Sequence, residues 1–289
     1  MVAVLVILPL WLVVSAGLGL WKYYLGTQQE ELIESSKFAT PMTGEGLADD
    51  MRKLVGIVGP RNVGVESGRR GLRRASSMIQ GLLGPSNAGY AVELEMGPEV
   101  AGEKWPIIVA TLPGKEEQAV WVVAGYDTLG AGVEANSSGV CSLLAVARAV
   151  ANERPMKSIK FAFLPHAYDP GSPVLPLLDQ FTSLLGNADL LLVVEAMGAK
   201  GELLISSREV EVLRNPGFEK WGTIVGAEAI CLEDDFDLTS TLFELNQPAV
   251  RIATRRVVSE TETDEELPDP AKHLASTRAL AELVMELAN

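Results

Sequence analysis

An uninterrupted apolar run at residues 119–124, AVWVVA, constrains the fold of this chain more than any other feature. A strand that is apolar at consecutive positions must be covered on both faces, which predicts a central strand of a parallel sheet between layers of helices. Gly125-Tyr126-Asp127 ends the run, and Gly130 and Gly132 punctuate a loop. Ser137 or Ser138 is then placed to cap a helix whose Val140, Leu143, Leu144, Ala147 and Ala151 recur at helical spacing. The loop of such a strand, loop, helix unit lies at the carboxyl end of the strand, where open α/β sheets bind ligands.

The same rhythm continues on both sides. Helices are predicted at 68–83, 138–152, 174–185, 208–215, 239–245 and 270–287, and strands at 90–96, 105–112, 119–124, 158–164, 189–196, 202–206 and 249–253. Residues 113–118 are read as a hairpin turn into the central strand. Asp269-Pro270 marks the start of the last helix, whose Leu274, Leu280, Leu283, Val284 and Leu287 form one apolar face. The expected architecture is an α/β three-layer sandwich with a central, mostly parallel mixed sheet and helices on both faces.

The amino terminus carries a second signal. Residues 2–21 contain no charge, enough to span a bilayer as a helix, and Trp21, Tyr23, Tyr24 and Lys22 follow where an interfacial belt would stand. A cleavable signal peptide with Val14-Ser15-Ala16 as its cleavage site is the rival, but the basic n-region is missing. We therefore expect a single-pass anchor over residues 1–24, a polar stalk over 25–45 and one domain over 46–289.

Several chemistries find no support. The Ser137-Ser138-Gly139 run lacks the first glycine of a nucleophile elbow, Cys141 and Cys231 lie in apolar surroundings, and no glycine-rich phosphate loop follows a strand. A net charge of −14 disfavours nucleic-acid partners. The basic cluster Arg69, Arg70, Arg73 and Arg74 reads as a solvated helix face that an acidic partner would suit.

Segments in a fixed order carry a resemblance. IIVATLPG at 107–114, VVAGYDT at 122–128 and EANSSGVCSLLAVARAV at 134–150 are preceded by a GPR opening at 59–61 and followed by KSIKFAFL at 157–164 and LLLVVEAMG at 190–198. QPAVRI at 247–252 and ETETDEELPDP at 260–270 complete the series. Together they resemble the dizinc exopeptidases, the family of bacterial leucyl aminopeptidases, glutaminyl cyclases and the transferrin receptor and nicastrin ectodomains. That resemblance implies a zinc-aminopeptidase-like fold and a site in which His and carboxylate ligands hold two zinc ions while a Glu serves as general base.

Position by position, the chain departs from that set. The strand-end His falls on Gly125, with the orienting Asp kept as Asp127; the bridging carboxylate falls on Ala135; base and ligand Glu fall on Ala167 and Tyr168. The next ligand carboxylate falls on Glu195, and the last ligand His falls on or near Thr239. One competent ligand remains, too few for a metal centre. The resemblance thus implies a degenerate member with no catalytic residue, metal or other cofactor, acting as a binding or scaffold subunit with protein partners in a membrane complex, its domain extracytoplasmic. Asp127, Tyr126, Tyr168 and Glu195 would line the cleft, with Glu195 open to a peptide amine. The alternative is an atypical metal-dependent aminopeptidase in which His166, Asp169, Asp127, Glu195 and the run Glu233-Asp234-Asp235 with Asp237 converge. His166 is otherwise expected as a surface or loop-packing histidine and His273 as an exposed or helix-packing one.

Overall fold

A computed structural model of the chain describes residues 15–22, 38–128, 135–169, 171–225, 238–255 and 267–289. Its centre is an 8-stranded sheet in the order β1-β2-β4-β3-β5-β8-β6-β7. The strands are β1 Val92–Met96, β2 Pro106–Leu112, β3 Ala119–Gly125, β4 Ser158–Leu164, β5 Ala188–Val194, β6 Leu203–Ser206, β7 Gly222–Ile224 and β8 Val250–Ala253. Strands β4, β3, β5 and β8 run parallel to one another, while β1, β2 and the β6–β8 pair add antiparallel joins. The expected mixed, mostly parallel sheet is therefore present.

Strand periodicity sorts the two cores. Val120, Val122 and Ala124 of β3 face one cluster with Ile159, Phe161 and Phe163 of β4, while Trp121 and Val123 face the other with Ala162 and Leu164. Helices α2 Glu66–Leu83, α3 Ala135–Ala149 and α7 Pro270–Ala288 cover the first face through Leu72, Ile79, Leu143, Leu144, Leu280 and Leu283. Helices α4 Val174–Leu184 and α6 Leu238–Glu244 cover the second through Leu177, Phe181, Leu238 and Leu242. All of β3 is buried, as an apolar run at every position requires. Trp121 anchors it to the second layer by donating its indole N–H to the Leu185 carbonyl at 3.2 Å, with its ring edge-on to Phe181.

Several expectations need correction. Residues 113–118 do not close a hairpin, because β4 lies between β2 and β3. The turn is instead held by the chain entering β4: Lys115 and Glu116 N–H both donate to the Met156 carbonyl, and a side chain at Gly114 would strike the Lys157 backbone. The helix after β3 starts at Ala135, so Ser137 and Ser138 lie within its first turn rather than capping it. The expected helix at 208–215 contracts to one 3-10 turn, Val212–Arg214, before a short α5 at Pro216–Trp221 that Asn215 caps. Three further elements are not among those expected: α1 at Gly44–Arg52, with Thr43 Oγ1 accepting from Gly46 N–H at 3.0 Å, a π-helical turn at Lys53–Val58, and the edge strand β7. The cap on α7 is as expected, with Asp269 Oδ1 accepting from Ala271 and Lys272 N–H.

Residues 15–22 are helical and exposed. Among the described residues no helix is long and apolar enough to cross a membrane. Most of the expected anchor and all of the stalk up to residue 37 lie outside the described residues, as does Cys231. Cys141 is a buried free thiol, and burial pushes its pKa up. Arg69 and Arg73 of the basic cluster are not open cations, since both pair with Glu66 and Glu103.

Candidate functional site

The carboxyl ends of β3, β4, β5 and β8 meet at one place, and each contributes one or more buried polar residues. β3 is followed by Tyr126, Asp127 and Thr128, β4 by His166, Tyr168 and Asp169, and β5 by Glu195, while Arg251 lies within β8. A side chain here is held by strands that are themselves buried on both faces, so its position is set by the sheet.

Gly125, the residue that the resemblance aligns with a strand-end histidine, ends β3. A Cβ built on it would lie 2.5 Å from Cε2 and 2.7 Å from Cδ2 of Tyr168, so the tyrosine ring fills the space into which a side chain at 125 would project. Tyr168 is tied in at both ends. Its backbone N–H donates to Asp127 Oδ2 at 2.7 Å, and its hydroxyl donates to Glu195 Oε1 at 2.8 Å. The other carboxylate oxygen of Glu195 accepts from Nε of Arg251 in a short ion pair, and Arg251 also donates through Nη1 to the Arg255 carbonyl at 3.1 Å. Glu195 and Arg251 are 1% and 0% exposed, so this ion pair is fully withdrawn from water.

Electrostatics follows from that withdrawal. Burial pushes the Asp127 carboxyl up to about 7, with the neighbouring Asp169 charge acting in the same direction against the stabilising Tyr168 N–H. Burial, reinforced by Glu195, likewise raises the Tyr168 phenol well above its ordinary value. Tyr168 is therefore a fixed proton donor to Glu195, not a titrating group.

A second buried cation braces the site from behind. Arg61, within the GPR segment, donates through Nε to the Tyr126 carbonyl at 2.7 Å, through Nη1 to the Leu54 and Gly59 carbonyls, and through Nη2 to Ser137 Oγ at 2.5 Å. Its own backbone is zipped to Thr128. Burial lowers its pKa to about 10, so it stays charged at neutral pH.

Of the four residues expected in the cleft, three come together: Asp127, Tyr168 and Glu195. Tyr126 points the other way, into the helix-covered core with its hydroxyl on the Pro106 carbonyl. Thr239 is buried in α6 and Ala135 opens α3. His166 takes the loop-packing course of the two expected for it, not the surface one. It is fully buried with φ of 34°, its Nδ1 is 2.7 Å from Ser172 Oγ, and its ring is edge-on to Trp105. Asp169 is engaged by the backbone, accepting from Val63 N–H at 2.5 Å and Gly171 N–H at 2.9 Å. His273 packs between α3 and α7, with Nε2 at 2.8 Å from Ser142 Oγ. The two histidines serve different neighbourhoods.

A zinc pair does not fit these residues. Position 125 has no side chain and no room for one, and both oxygens of Glu195 are engaged, one of them by a cation. Among the described residues no group of three or more His, Cys, Asp or Glu side chains is arranged to hold a metal ion. The acidic run at 233–237 lies outside the described residues.

Comparison with known proteins agrees with the fold and with the segment that carries the resemblance. Residues 107–165, covering β2 to the end of β4, match the model of Peptidase family M28. Among solved structures, a leucine aminopeptidase precursor from Bacteroides thetaiotaomicron matches with TM-score 0.64 at 15% identity, covering 86% of this chain and 98% of that one. BSAP, a zinc aminopeptidase from Bacillus subtilis, matches with TM-score 0.63 at 11% identity, over 86% and 96% of the two chains. The glutaminyl cyclase of Tannerella forsythia matches with TM-score 0.60 at 16% identity, over 85% and 99%. No curated protein matches the chain. The protein thus has the fold of these exopeptidase structures, and one segment of it matches the M28 model.

Proposed function

We propose that this chain is a membrane-anchored, non-hydrolytic protein of aminopeptidase fold that acts as a binding or scaffold subunit with protein partners, its domain on the extracytoplasmic side. One observation carries the loss of hydrolysis: the place of the strand-end ligand is filled by the Tyr168 ring, and Glu195 is bound on both oxygens by Tyr168 and Arg251. A peptide amine would have to displace a buried guanidinium to reach Glu195, which favours binding through the outer surface of the domain. The uncharged run at residues 2–21 supports the anchor.

The test combines two measurements on the full-length protein. Purified without chelator and assayed on aminopeptidase substrates with added Zn²⁺ or Co²⁺, it is expected to show no hydrolysis above background. Gently solubilised membranes are expected to yield it with a reproducible protein partner. Turnover that a chelator abolishes would replace this reading with the atypical metallo-aminopeptidase, and a solitary, water-soluble chain would remove the scaffold and anchor parts.

A further inference from the structure

We propose that the guanidinium of Arg251 is the resident cation of the strand-end site, neutralising its buried carboxylate and tying the strand ends together, so that the fold is held without any divalent ion. The inference concerns the closed site on which the preceding reading rests, but it stands on stability and not on activity. Three observations converge on it. Glu195 is a carboxylate almost wholly removed from water, and such a group is sustained only by a charge partner and hydrogen bonds. Arg251 supplies that partner from the adjacent parallel strand: β5 and β8 pair through Val194 and Ile252, and the Glu195 N–H donates to the Ile252 carbonyl at 3.0 Å, so backbone and side chains bind the same two strands. Tyr168 extends the link, from Glu195 through its hydroxyl and to Asp127 through its backbone, so one continuous chain of contacts runs from β8 through β5 and the β4 loop to the end of β3.

A metal ion joins strand ends in the same way, by drawing ligands from several of them onto one positive centre. The arginine does so with a fixed planar fork that is charged at every physiological pH. Its presence also repels a second cation from Glu195.

Thermal melting of the full-length protein in detergent decides the matter. For the wild type, a chelator or a few-fold excess of Zn²⁺ or Co²⁺ is expected to leave Tm unchanged. Arg251→Met leaves Glu195 charged, buried and without its cation, and is expected to lower Tm by about 6–12 °C. Adding Glu195→Gln to Arg251→Met removes the stranded charge while keeping an acceptor for Tyr168, and is expected to recover at least half of that loss. Failure of Arg251→Met to fold, with recovery in the double variant, supports the proposal equally. A metal-dependent rise in the wild-type Tm, an Arg251→Met variant as stable as wild type, or a double variant no more stable than Arg251→Met would each overturn the proposal. Hydrolysis by the wild type with these melting results intact would instead defeat only the functional reading above.

Discussion

Gly125 and Tyr168 are fitted to each other, and substitutions at either position test how tightly. Gly125→Ala forces a methyl group against the ring at under van der Waals distance and is expected to cost about 1–3 kcal/mol in urea unfolding. In a Tyr168→Ala background the same change should cost far less, because the obstacle is gone. Asp127 tests the electrostatics. Its folded-state pKa of about 7 lies above the ordinary value near 3.8, so its contribution to stability is complete below that ordinary value and is lost as pH rises through 7. Asp127→Asn should therefore gain stability relative to wild type on going from pH 5 to pH 8, measured by denaturant titration at both. Part of this site is legible from residue types in order: Asp127, Tyr168 and Glu195 are expected together and are joined by hydrogen bonds, with Gly125 against the Tyr168 ring, while Tyr126 is expected there and turns away. Arg251 is not legible, because it lies between Val250 and Ile252 in a strand whose apolar content dominates its reading. A lone charge inside such a strand is the available signal, and a buried carboxylate at Glu195 is the reason for it.

Among the elements, β3, β4 and α7 are readable because their burial matches a simple period, continuous for a two-faced strand and three-to-four for a one-faced helix. Helix α1 escapes because it is mostly polar and buries only Leu47, Asp50 and Met51, yet Thr43 before it and the spacing of Leu47, Met51 and Leu54 are cues. The order of β2, β4 and β3 is beyond periodicity, since sequence neighbours are separated in space by a later strand. Arg61 binds the segment after the π-helical turn to the end of β3 and the start of α3. Arg61→Met strands several buried carbonyls at once and should cost about 3–5 kcal/mol in chemical denaturation, more than any single surface arginine. His273 couples α3 to α7 as a neutral group, its pKa pulled down by burial to about 4. Its folded value lies below the unfolded one near 6.5, so its contribution is complete above pH 6.5 and is lost as pH falls toward 4. Replacing it with Asn should flatten that acid-side decline in a pH series of unfolding free energies.

At the level of the whole molecule, a domain of net negative charge stands behind an uncharged amino-terminal run. Full-length protein is expected to stay with membranes through alkaline carbonate extraction, and a form starting at residue 38 is expected to stay in the supernatant. Both outcomes are read by fractionation. The closed site has a consequence for what such a molecule can become. A histidine at position 125 would run into Tyr168, a Glu at 168 would set a second buried anion beside Glu195, and loss of Arg251 would leave an anion stranded. Each of these side chains therefore holds another in place, so neutral drift is expected to accumulate on the outer surface of the domain and to spare this interlocked group.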